Sequence, residues 1–121
     1  MSTFIIAVLS FFYFQSAAAS GQTIEHIVIL WLKEPGNADA QETVLKASQS
    51  LKTIPGVVAL KSGRAVPSMR KAADSSFDIA LIISFRDQAA LNAYRSHPVY
   101  QRLLKEILLP LGDRIRVYNL R

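Results

Sequence analysis

The sequence contains no cysteine, and it has only five glycines and five prolines among 121 residues. Without cysteine the chain can form no disulfide framework, thiolate nucleophile, cysteine-ligated zinc site or iron–sulfur cluster. The low glycine and proline content, with 50% hydrophobic and 19% charged residues, excludes a collagen-like repeat and a disordered chain. The length allows one domain at most. We therefore expect a single folded globule.

The first 24 residues carry no charged side chain. Residues 4–14 form an apolar run broken only by Ser10, which is shorter than the about 20 residues that span a bilayer. Ala17 and Ala19 follow as a small-x-small cleavage site. We expect residues 1–19 to be a signal peptide, residues 20–121 to be the mature domain, secreted or periplasmic, and no stable membrane span to remain after cleavage. Because no Lys or Arg precedes the run, an uncleaved anchor is the alternative.

Hydrophobic patterning predicts strands over residues 23–33, 57–66, 77–85 and 113–120, with a polar loop at 67–76. Helices are predicted to start at Asp39, which has Glu42 at capping-box spacing, at Asp87 as a cap, and at Pro98. The order strand, helix, strand, strand, helical region, strand predicts an α+β, ferredoxin-like fold. It has a four-stranded antiparallel sheet with helices on one face.

The first strand is apolar on both faces. Because side chains alternate, they fall into two sets: Ile27, Ile29 and Trp31 on one face, and His26, Val28, Leu30 and Leu32 on the other. Helices can cover only one set, and large exposed apolar patches usually mark interfaces. We therefore predict a homodimer whose sheets pack face to face through the first set, with Ala80 and Ile82 beside it.

Several short motifs occur in a characteristic order: His26-Ile27-Val28-x-x-Trp31, Ile54-Pro55-Gly56-Val57, Gly63, Phe77-Asp78-x-Ala80-Leu81 and Leu91-x-x-Tyr94-x-x-His97-Pro98. Over about residues 24–119 the chain resembles the stress-responsive dimeric A/B barrel (Dabb) domain family. The resemblance implies a dimeric α/β barrel with a small cavity in each subunit between sheet and helices.

One plant member of that family is a cofactor-free polyketide cyclase, and the resemblance matches His26 and Tyr94 to its first-strand histidine and catalytic tyrosine. The essential base of that enzyme is a histidine at the position of Tyr100, and a further cavity histidine aligns with Ile79. Because tyrosine has an ordinary pKa of about 10, it is a poorer base at neutral pH than histidine, near 6.5. The same cyclase mechanism is therefore not expected to operate unchanged.

The candidate catalytic residues are His26 and Tyr94. Alternation along the strands and the apolar stripe of the first helix supply the candidate ligand-binding residues: Val28, Leu30, Val44, Leu81, Ile83, Tyr100, Ile115 and Val117. With two histidines and no phosphate-binding loop or HExxH motif, we expect no metal and no cofactor.

Each candidate also has a structural interpretation. His26 can be a satisfied core histidine, Tyr94 an aromatic core residue, and Tyr100 can face solvent. His97 precedes Pro98, where it can order the start of a helix.

The net charge of +5 raises the question of nucleic acid, but the basic residues are scattered. The densest group, Arg64, Arg70 and Lys71, is expected to lie in and beside a solvated loop, so no nucleic-acid partner is predicted.

Two functions remain open from the sequence. The dimer binds a small apolar or aromatic molecule, as a carrier or a cofactor-free lyase- or cyclase-like enzyme, or it is a non-catalytic interaction module.

Overall fold

A computed structural model describes residues 23–121 as one antiparallel sheet with helices on one side. The strands are β1 (Ile24–Leu32), β2 (Val57–Arg64), β3 (Ile79–Phe85) and β4 (Gly112–Leu120), in the spatial order β2-β3-β1-β4. The predicted ferredoxin-like α+β class is confirmed. The two chain-terminal strands, β1 and β4, lie side by side.

The helical layer has three parts. The first is α1 (Ala38–Ser48), which a 3-10 turn continues over Gln49–Thr53, and the second is α2 (Gln88–Ser96). The third begins as α3 (Pro98–Leu103), widens to a π-helical turn over Leu104–Leu108 and ends as α4 (Leu109–Leu111). Pro110 has no N–H to continue the ordinary helical ladder, which favours such an irregularity.

The start of α1 differs from the prediction. The cap is Asn37, whose Oδ1 accepts a hydrogen bond from the Ala40 backbone N–H at 2.9 Å, whereas Asp39 lies within the first turn. Asn37 has the extended backbone that a cap requires, and a carboxylate in the first turn is favoured by the helix dipole. The helix starts predicted from Asp87 and Pro98 are both present: Asp87 caps α2, and Pro98 is the first residue of α3, which His97 caps.

Two of the observed strands are shorter than predicted. β2 ends at Arg64 instead of residue 66, and β3 begins at Ile79 instead of residue 77.

The residue before β3, Asp78, is buried and turns its carboxylate toward the loop between β1 and α1. It accepts hydrogen bonds from the backbone N–H groups of Leu32 (2.9 Å) and Gly36 (2.7 Å) and from Gln41 Nε2 (3.1 Å). Asp78 therefore fixes the loop that leads into α1.

The helix-facing side of the sheet forms the core, and β1 alternates strictly between buried and half-buried residues. On the other side, Ile27 pairs with Ile82 and Ile29 pairs with Ala80 across β1 and β3, as predicted. These four residues remain partly or fully accessible, with Ile82 36% exposed. Within residues 23–121 the helices leave this side of the sheet open. We refer to Ile27, Ile29, Ala80 and Ile82 as the open-face patch.

Trp31 lies on the same side of the sheet, next to the open-face patch, and polar neighbours hold its ring in place. Its indole Nε1 donates a hydrogen bond to Ser76 Oγ at 3.0 Å, and the Arg114 guanidinium lies 3.8 Å from the ring centroid. Phe77 meets the same ring edge-on. The loop before β3 is thereby attached to the open side of the sheet.

Candidate functional site

A cavity of about 430 Å³ lies between the β1–β4 half of the sheet and the α2–α3 region. Its lining is largely aliphatic and aromatic, with a few polar groups: His26, Val28, Leu51, Leu81, Tyr94, Arg95, Tyr100, Gln101, Leu103, Leu104, Leu108, Ile115 and Val117. Strand pairing explains the floor, because His26 lies opposite Asn119 and Val28 opposite Val117 on the same side of the sheet. The volume suits a small organic molecule.

His26 is the buried polar residue of the cavity floor. Its Nδ1 lies 2.5 Å from Asn119 Oδ1, and because that oxygen can only accept, Nδ1 carries the proton. Burial lowers the pKa of His26, the bond to Asn119 raises it, and the nearby Arg95 lowers it; the net shift is downward from 6.5. Neutral His26 therefore presents its unprotonated Nε2 as a proton acceptor.

The position of Nε2 follows from the hydrogen bonds. It makes none to another residue of the 23–121 segment, and no fully buried side-chain nitrogen or oxygen in that segment lacks a partner. Nε2 is therefore accessible, and the residue lines the cavity. A bound molecule can reach this nitrogen.

Two tyrosines stack beside the histidine. The ring of Tyr94 meets His26 edge-on at 5.8 Å between centroids, and it meets Tyr100 at 4.5 Å. Burial, and to a smaller extent Tyr100, raises the pKa of Tyr94 far above its usual value of 10. Burial also raises the pKa of Tyr100, against a smaller lowering by Arg95. Both phenols keep their protons at neutral pH and can act as hydrogen-bond donors.

The junction between α2 and α3 sets the position of these side chains. His97 ends α2, with its N–H donating to the Tyr94 carbonyl at 3.0 Å, and its Nδ1 accepts from the Val99 N–H at 3.1 Å to start α3. Gln101 Nε2 donates to the Arg95 carbonyl at 2.6 Å across the same bend. His97 has the structural role that its place before Pro98 suggested.

The structure brings together most, but not all, of the predicted site residues. His26, Val28, Leu81, Tyr94, Tyr100, Ile115 and Val117 line the cavity. Leu30, Val44 and Ile83, which were also predicted to line it, are not among the lining residues and are instead packed elsewhere in the core. Val44 lies on α1 and Ile83 on β3, both fully buried, and Leu30 packs against Gly112, the first residue of β4.

Sequence reasoning missed several lining residues: Leu51, Arg95, Gln101, Leu103, Leu104 and Leu108. Leu103, Leu104 and Leu108 belong to the helical segment predicted to start at Pro98, but the sequence pattern does not show which of its residues face the cavity. Arg95 had a detectable signal, because it directly follows Tyr94 in the last turn of α2.

In residues 23–121 no group of three or more histidine or acidic side chains is arranged to hold a metal ion. No helix within the same range is both long and apolar enough to cross a membrane. The predicted signal peptide, residues 1–19, lies outside the described residues.

The fold and the cavity define a ferredoxin-like α+β domain with a ligand-sized space between sheet and helices. The family model described as "Stress responsive A/B Barrel Domain" (Dabb) matches residues 24–120. The chain belongs to this family. No curated protein gives a significant match to the sequence.

Solved structures show the same fold. A Dabb family protein from Mesorhizobium loti is 22% identical, with a TM-score of 0.68 over 82% of this chain and 95% of that one. A dimeric ferredoxin-like protein of unknown function from Thermobifida fusca is 22% identical, with a TM-score of 0.67 over 84% and 92%. The hydroxynitrile lyase of Passiflora edulis is 20% identical, with a TM-score of 0.70 over 82% and 92%.

Proposed function

We propose that this Dabb protein is a homodimer that binds a small apolar or aromatic molecule in the cavity beside His26. Cavities that bind small molecules are mostly apolar with a few convergent polar groups, and this lining has that composition. The observation that carries the proposal is the accessible Nε2 of a neutral histidine inside a largely apolar cavity.

The same geometry suits chemistry without a cofactor. His26 Nε2 can accept a proton from a bound hydroxyl or activated C–H group, and the Tyr94 and Tyr100 hydroxyls can donate hydrogen bonds to the oxygen that becomes negative. Asn119 holds the ring in the required tautomer. The Passiflora edulis hydroxynitrile lyase shares this fold, which makes a lyase-like reaction the first activity to assay, with a cyclase-like reaction second.

A thermal-shift screen of small aromatic compounds tests the binding proposal. Leu81 lies on the cavity floor, so Leu81→Trp should fill the space and abolish stabilisation by any hit. The control is Arg70→Ala in the exposed loop, which should leave the shift unchanged. Stabilisation that survives Leu81→Trp would place binding elsewhere.

The catalytic part has its own test. His26→Ala should remove turnover while far-UV circular dichroism stays unchanged, because His26 is the histidine that lines the cavity. Full activity in His26→Ala, or no hit from the screen, would favour the alternative of a non-catalytic interaction module.

The dimer proposal is supported by the open-face patch and by the dimeric Thermobifida fusca protein. Ile29→Lys should weaken association, because it would bury an unpaired charge between the two sheets. Leu109→Lys is the matched control, since Leu109 is 55% exposed on the helical side. Light scattering should show monomers for the first variant and dimers for the second, and a monomeric wild type would refute the proposal.

Export is a proposal from the sequence alone. Intact-mass measurement of exported protein should show loss of residues 1–19, or a cut within about three positions of that site. Full-length protein retained in a membrane fraction would contradict it.

A further inference from the structure

We propose that the cavity selects ligands that carry a single carboxylate, which Arg95 binds at the cavity rim while the apolar part of the molecule lies toward His26. This inference rests on the proposed ligand binding and adds the chemical class of the ligand.

Arg95 is the charged residue among those that line the cavity, and none of the lining residues is Asp or Glu. Within residues 23–121 the Arg95 side chain forms no ion pair, whereas Arg64 and Arg86 each pair with a carboxylate. The rim therefore has a positive charge with no counterion from the described chain. The protein's net charge of +5 adds a long-range attraction for anions.

The remaining polar groups fit one end of an anion. Tyr94 and Tyr100 retain their protons, so their hydroxyls donate, and the guanidinium has five further N–H donors in a planar fork that matches a carboxylate. Gln101 fixes the Arg95 backbone by bonding its carbonyl, which anchors the base of the side chain. Because Arg95 is the single cation in a largely apolar lining, the arrangement favours one negative charge over a dianion such as a phosphate ester.

Arg95 also has a structural explanation that the test must separate. It lies in the last turn of α2, where a positive charge interacts favourably with the helix dipole. Arg102 is a second exposed arginine, on the helical segment that starts at Pro98, but it does not line the cavity. The pair Arg95→Gln and Arg102→Gln therefore compares loss of the cavity charge with loss of a nearby surface charge.

The probes are phenyl-substituted straight-chain carboxylates, from phenylacetate to 6-phenylhexanoate, each with its primary amide. Calorimetric titration at low ionic strength should show that wild-type protein prefers the carboxylate of the best pair. Arg95→Gln should weaken binding of that carboxylate about ten-fold, equal to ~1.4 kcal/mol. Binding of the amide should change little, and Arg102→Gln should retain the wild-type preference.

A measurement on the wild type alone gives a second check. Since Arg95 is exposed, added salt should reduce the preference for the carboxylate while leaving amide affinity nearly constant. If wild-type protein binds amide and carboxylate equally, or Arg95→Gln keeps the preference, this inference is wrong and the cavity proposal stands. If neither probe of any pair binds, both proposals are overturned.

Discussion

The turn before β2 contacts the helix that carries Tyr94, and substitutions at Gly56 test how much this contact stabilises the fold. Gly56 has a φ of +89°, and a Cβ built there would lie 2.4 Å from the Cβ of Ala90, in the first turn of α2. The Gly56 carbonyl also accepts a hydrogen bond from the Arg86 N–H at 2.9 Å. The helix that carries Tyr94 is therefore seated directly against this glycine.

Gly56→Ala should destabilise the protein through two separate effects. A left-handed backbone costs a non-glycine residue about 1–2 kcal/mol, and overpacking costs about 1–3 kcal/mol. Gly36 isolates the first effect, because its φ is +75° and a Cβ there would meet nothing within 4 Å. We expect a loss of about 2–5 kcal/mol for Gly56→Ala and about 1–2 kcal/mol for Gly36→Ala.

Urea unfolding followed by circular dichroism, at one protein concentration, measures both free energies. Adding Ala90→Gly to Gly56→Ala should relieve the overlap, partly offset by the ~1 kcal/mol that glycine costs inside a helix. The double-mutant cycle should therefore show coupling between the two positions. Equal losses for Gly36→Ala and Gly56→Ala, with no coupling to Ala90, would refute the reasoning.

Two further predictions concern buried polar groups. Asp78→Asn should lower the free energy of unfolding at pH 7 by about 2–3 kcal/mol, because the NH₂ group of the new asparagine would face an N–H group that now donates to the carboxylate. Burial raises the pKa of the Asp78 carboxyl, but its three hydrogen bonds outweigh this and hold the pKa below 3.8. The contribution is thus present above pH 3.8 and lost as the pH falls through the folded-state pKa, so acid titration should destabilise wild type more than Asp78→Asn. Asn119→Ala should lower the pKa of His26 further, since it removes the bond that raises it, and an unchanged NMR titration would contradict the assigned role.

The order of strands and helices along the chain, and the side of the sheet on which each β1 residue lies, could be predicted because both depend on local sequence patterns. The alternation in β1 assigned His26 and Val28 to the helix side and Ile29 to the open side, and the register confirms both. Alternation gives the face of a residue but not its position along the strand. Leu30 was therefore placed in the cavity, although it lies beneath Gly112.

The helical side of the site was less predictable. Asp39 with Glu42 matched a capping box, yet Asn37, two residues earlier, makes the cap, because asparagine is an equally good cap residue and Asn37 has the extended backbone that a cap requires. Pro110 marks an interruption of the helical ladder, but it does not show that the preceding turn becomes π-helical. The pattern of leucines therefore could not show that Leu104 and Leu108 line the cavity.

The side chains of β4 alternate between the cavity and the open side of the sheet, and this restricts insertions and deletions within the strand. Val117 lines the cavity, while the next residue, Tyr118, points to the open side opposite Ile27. Substitutions alter one environment at a time, but an insertion or deletion of one codon within the strand would exchange both sets of side chains. The pairing already shifts register between Trp31 and Leu32, opposite Arg114 and Gly112. Among related sequences, insertions and deletions in β4 should therefore occur mainly at this register shift, while the rest of the strand keeps its length.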